Sequence, residues 1–146
     1  MLESGVHPAP ALATPMKTLL IVTALIEVGA SLALLCCPSA TVALLLGSRL
    51  DMPVAVTLGR LAGAALLALG VACWLAKHDG QSCAARGLVS GMVLYNLGAV
   101  VILGLAGIRS DSAGVGLWPA VVLHVAMTVW CVASLLETQS RRKEEL

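Results

Sequence analysis

The sequence has no phenylalanine and a single tyrosine, Tyr95; the only other aromatic side chains, histidine aside, are three tryptophans in 146 residues. Platforms for stacking nucleobases are therefore missing. Charge is scarce as well. Only 12% of the residues are charged, about half the usual share of a soluble domain. Nine basic residues against eight acidic ones leave a net charge of +1, which excludes the basic footprint of a nucleic-acid binder. The chain also lacks an HExxH motif, a phosphate-binding loop and any nucleophile–base spacing, so it does not read as an enzyme. Its five cysteines (Cys36, Cys37, Cys73, Cys83 and Cys131) show no CxxC spacing and no zinc pattern with histidine. They read as small packing residues, with no metal and no disulfide framework.

What the chain has in abundance is apolar sequence. It is 59% hydrophobic, with a mean hydropathy of +0.96, and a soluble domain of this size needs more polar surface than that. Four long apolar runs cover about residues 18–36, 54–76, 87–108 and 116–136. Each is close to the ~20 residues that cross ~30 Å of hydrocarbon. The expected fold is an all-α membrane protein with four transmembrane helices, since an open sheet cannot live in lipid. The first run carries only Lys17 as a basic flank and no small-x-small cleavage site before Pro38, which favours a retained span over a signal peptide.

Pro38 should end the first helix. Ser39 is the expected N-cap of a short helix ending at Leu46, and Gly47 its stop. That piece is too short to cross and reads as an interfacial or re-entrant helix between spans one and two. Residues 1–16 read as a disordered tail, although "MKTLL" from Met16 also reads like a start. Residues 17–137 then form one transmembrane domain, and 138–146 a charged cytoplasmic tail.

Lys17, Lys77, Arg86, Arg141, Arg142 and Lys143 flank the spans on one side, and Arg49 and Arg109 on the other. The positive-inside rule puts both termini in the cytoplasm. Trp74 and Trp118 sit near span ends, where aromatic belts form.

The stretch "TALIEVGASLALL" places a carboxylate, Glu27, in the middle of the first span. Thr23 and Ser31, four residues to either side, extend its stripe. At 1.5 Å per residue, Glu27 lies roughly 15 Å from the cytoplasmic end, and Asn96 at a similar depth. His124 lies roughly 12 Å and Arg60 roughly 10 Å from the outer end. An unpaired charge at such depth costs at least ~2.5–3.5 kcal/mol on insertion scales. The expectation is therefore a buried polar cluster in which Glu27 pairs with Arg60, with Tyr95, Asn96 and His124 supplying hydrogen bonds. His124 is the only intramembrane histidine, so a bis-histidine haem would need a second chain, and no cofactor is expected. "GRLAGAALLALG" carries Gly59, Gly63 and Gly70, and span three repeats the device with Gly87, Gly91 and Gly98. Both read as surfaces for close helix packing within the chain.

"ALIEVGASLALL", Pro38 and the following "LLLG", then "GRLAGAALLALG", resemble the first half of small four-helix bacterial membrane proteins of the DoxX-like kind. That resemblance implies a bacterial inner-membrane protein, with an accessory role in a larger membrane complex among the possibilities. Within span one, "LIEVGAS" also looks like the first helix of small multidrug-resistance exporters, which would make Glu27 a proton-exchanging carboxylate. The chain departs from those exporters in its length and in its near-absence of aromatics. The expected function is an accessory or scaffold subunit, with a small proton-coupled transporter using Glu27 as the alternative. The expected partners are the lipid bilayer and either a larger complex or further copies of the chain.

Overall fold

The computed structural model describes residues 15–110 and 113–144. Among them are five helices and no strand: α1 (Pro15–Cys36), α2 (Pro38–Leu46), α3 (Pro53–Ala76), α4 (Cys83–Arg109) and α5 (Leu117–Glu144). Four of these, all but α2, are long and apolar enough to cross a membrane. The all-helical expectation with four long apolar elements holds.

The boundaries follow from local chemistry. Pro15 opens α1, where the missing N–H of proline costs nothing. Met16 is buried in the core, so the helix begins inside the segment read from sequence as a tail. Pro38 ends α1 and becomes the first residue of α2. The N-cap position is consequently Cys37, with no side-chain cap, and not Ser39. Ser39 instead donates from Oγ to the Leu50 carbonyl at 3.1 Å, tying the start of α2 to the approach of α3. Gly47 stops α2 in the left-handed region at φ 75°, its N–H donating to the Ala43 carbonyl. Ser82, which the sequence reading passed over, caps α4: its Oγ accepts the Ala85 N–H at 3.0 Å. At the other end of the chain, α5 continues helically to Glu144, through residues expected to lie beyond the last element.

The helices associate as two antiparallel pairs, α1 with α3 and α4 with α5. Glycine sets the first pair. A methyl group built on Gly63 would lie 3.0 Å from the Leu34 Cβ, and one on Gly70 would lie 3.0 Å from Val28 Cγ2 and 3.3 Å from the Glu27 Cβ. The α4 glycines differ from expectation. Nothing lies within 4 Å of a methyl built on Gly87, Gly91, Gly98 or Gly104, so they carry no close contact among the described residues. α4 is instead held by larger side chains: Ala85, Val89, Met92 and Asn96 form one buried face at helical spacing, as do Met127, Cys131 and Ser134 on α5.

The packed core is concentrated at one end of the bundle. Met16, Leu19, Leu20 and Ala24 of α1 meet Cys73 of α3, Val89 and Met92 of α4, and Met127 and Cys131 of α5. This is the near end, where α1 begins. At the far end α2 bridges the two pairs. The N–H groups of Gly114 and Gly116 donate to the carbonyls of Leu45 and Leu44, at 3.2 and 2.9 Å. These carbonyls belong to the last turn of α2 and have no partner inside their own helix. A side chain on Gly114 would run into the Leu44 carbonyl, so glycine is required for this approach.

Candidate functional site: a cavity between the helix pairs

Because the pairs are packed together at the near end and bridged by α2 at the far end, a space remains between them. It has a volume of about 890 Å³, within the ~300–1,000 Å³ range of small-molecule sites. α1 contributes Glu27, Ala30 and Leu34 to its wall, and α2 contributes Leu44 and Leu45 at its far end. Gly91, Tyr95, Gly98 and Ile102 line it from α4, one helical turn after another, and His124 lines it from α5. Leu94 and Ile102 line the cavity and are nevertheless 74% and 69% exposed. The cavity therefore opens sideways along α4, on the side facing Ala62 and Leu66 of α3.

Three of the sequence-predicted residues come together as a hydrogen-bonded and ring-packed unit. Asn96, buried at the midpoint of α4, donates from Nδ2 to the Met92 carbonyl at 2.8 Å. That bond orients the amide, since the opposite flip would set two carbonyl oxygens against each other. The Asn96 Oδ1 then accepts from His124 Nδ1, also at 2.8 Å, which places the ring proton on Nδ1 and leaves Nε2 as the acceptor of a neutral imidazole. Tyr95 packs edge-on against the His124 ring, with centroids 5.7 Å apart.

Glu27 reaches the same cavity from α1. It is only 4% exposed, and Thr23 and Ser31 are buried along the same stripe, as the spacing implied. Among the described residues nothing pairs with or hydrogen-bonds to its carboxyl group. Five other hydroxyl groups in the helices satisfy themselves: Thr41, Thr57, Ser90, Thr128 and Thr138 each donate to the carbonyl four residues back.

Arg60 is not part of this cluster. Its side chain is exposed. Gly59, beside it, packs near Pro38 and Leu50, whereas Gly70 is the α3 residue opposite Glu27. Ten residues separate Arg60 from Gly70, or about 15 Å along the helix. The expected ion pair is excluded by this register. Counting residues from the ends of the runs gave similar depths for both groups but carried no information on which turn of α3 faces which turn of α1.

Among the described residues no group of three or more histidine, cysteine or acidic side chains is placed to hold a metal ion. Cys73 and Cys131 are buried in the core, and all five cysteines are free thiols. No protein-family model matches the chain, and neither does any curated protein or solved structure with which it was compared.

Proposed function

We propose that this is a multi-pass membrane protein that binds a small apolar molecule within the bilayer, in the cavity between its helix pairs, and serves as an accessory binding subunit. The observation that carries the reading is Glu27: a carboxyl group almost fully buried, without a protein partner, lining a cavity of ligand size. A buried polar group left unpaired is costly, and an intramembrane carboxylate points to function. Once Arg60 is removed from the cluster, a scaffold role resting on a Glu–Arg pair loses its support.

Membrane insertion is supported by the exposed faces. Leu25, Leu58, Leu61, Leu75, Val122 and Val129 are all exposed on the long helices, far more apolar surface than a water-soluble monomer presents. In this frame α2 lies at the outer interface and both termini face the cytoplasm. The cation–π contact of Lys77 Nζ, 3.3 Å from the Trp74 ring centroid, supports reading the end of α3 as an interface. The resemblance of the first two spans to DoxX-like proteins supports a bacterial inner membrane.

The test is mass spectrometry of the full-length protein released from detergent. The wild type should carry a small molecule that Gly91→Leu and Gly98→Leu lose, because both positions line the cavity and the Cβ of either leucine starts in open space. Identical spectra for wild type and filled variants would defeat the reading.

A second reading, proton-coupled transport, is favoured by one observation: among the described residues no cation competes for Glu27. In liposomes it predicts a substrate-driven proton flux that Glu27→Gln abolishes while Arg60→Gln leaves it intact.

A further inference from the structure

The polar and apolar parts of the cavity are arranged in an unusual order. Glu27, Tyr95 and His124 lie in the middle turns of α1 and α4 and in the second turn of α5. From there the lining runs toward α2 through Leu34, Ile102, Leu103, Leu44 and Leu45, all apolar. The one hydroxyl at that end, on Thr41, is already bonded to the Cys37 carbonyl at 2.9 Å. Along α4 the wall extends from Gly91 to Leu103, about 18 Å of helix. In a bilayer this places the polar groups deep and the apolar end toward the surface. A phospholipid has the reverse order, with its charged head at the surface and its chains at depth. A charged head brought to the depth of Glu27 would itself be costly. The occupant must therefore have a small, uncharged polar group that can travel to the middle of the membrane.

The hydrogen-bonding inventory narrows its chemistry. The Asn96 amide fixes His124 with Nδ1 as donor, so Nε2 is left to accept, without a protein partner among the described residues. As a carboxylate Glu27 only accepts, through two oxygens, while the Tyr95 hydroxyl and the Ser31 hydroxyl, buried one turn from Glu27 without a partner among the described residues, each accept and donate. The surplus at the polar end is of acceptors, and it calls for a donor.

We propose that the cavity takes an uncharged apolar molecule bearing a hydroxyl group, an alcohol or a phenol, whose O–H donates to Glu27 or His124 and whose apolar body extends toward α2. The proposal rests on the binding reading above and adds the class and orientation of the ligand. The molecule enters sideways from the bilayer, between α3 and α4, where Leu94 and Ile102 border the opening. Gly91 and Gly98 supply the space on the α4 wall.

The full-length protein, in liposomes of phosphatidylethanolamine and phosphatidylglycerol, is photolabelled with hexadecanol carrying a diazirine in its chain. Label should appear saturably in the α4 peptide, residues 87–109, and Gly98→Leu should reduce it at least tenfold while leaving the helical content unchanged. Unlabelled hexadecanol should compete at least tenfold better than hexadecyl methyl ether, which has the same body and no donor, and than hexadecyltrimethylammonium. If the ether competes as well as the alcohol, or the ammonium compound better, the donor assignment is overturned while the binding reading stands. Labelling that does not saturate, or that Gly98→Leu leaves unchanged, overturns both. All the competition measurements use the wild type, so the outcome does not depend on a variant at the polar end folding.

Discussion

Glu27 and Arg60 carry opposite charges on adjacent helices and do not meet. Two residues about 15 Å apart with no shared partner contribute independently, with a coupling within about 0.5 kcal/mol. A double-mutant cycle of Glu27→Gln and Arg60→Gln, read by unfolding in detergent, should therefore be additive; a coupling of 2 kcal/mol or more would restore the ion pair and remove the free carboxyl. Arg60→Gln alone should change stability little, since its exposed side chain can extend to the nearer interface. Asn96 behaves differently, because it is buried and bonded at both ends of its amide. Interhelical hydrogen bonds in membranes average about 0.6 kcal/mol and reach about 1.7. Asn96→Leu should cost an amount in that range and free the His124 ring. An unchanged unfolding midpoint would mean that the α4–α5 contact owes nothing to this bond.

Among the helices, the chain uses glycine in two ways that look alike in sequence. On α3, Gly63 and Gly70 face α1 at contact distance; on α4, Gly87, Gly91, Gly98 and Gly104 face open space. Leucine at Gly63 or Gly70 must push the backbones apart, and overpacking of this kind costs about 1–3 kcal/mol or more. Leucine at Gly87 or Gly104 should be tolerated, with less than about 0.5 kcal/mol of change. Comparing unfolding midpoints across the four variants checks the assignment; equal losses would mean that α4 packs through its glycines after all. The length of the apolar runs and the punctuation by Pro38 and Gly47 made the long helices and α2 legible, because those signals lie within each segment. The helical spacing of Thr23, Glu27 and Ser31 likewise identified a buried stripe. The partner of that stripe was not legible. Which α3 turn faces Glu27, and whether a glycine meets a helix or a void, depends on contacts between segments that the sequence places far apart.

For the whole molecule, the uneven distribution of packing gives the fold its polarity: a solid near end, an open middle and a far end closed by α2 and the loop carrying Gly114 and Gly116. The same polarity fixes what a topology experiment should find. Six basic residues flank the spans at the near-end side of the sequence map and two, Arg49 and Arg109, at the other, so the near end should face the cytoplasm. Ser48, between α2 and α3, and Gln81, between α3 and α4, are both exposed and lie at opposite ends. In a background where Cys36, Cys37 and Cys83 are replaced by serine, Ser48→Cys should react with a membrane-impermeant maleimide in intact cells, and Gln81→Cys only after the membrane is opened. Cys73 and Cys131 can remain in place. They are fully buried in the core, where a thiol has no access to the reagent. Reaction of Gln81→Cys alone in intact cells would invert the orientation, and with it the leaflet toward which the apolar end of the cavity points. Reaction of both would mean that α3 does not cross the membrane, and the cavity beside it could not open into lipid.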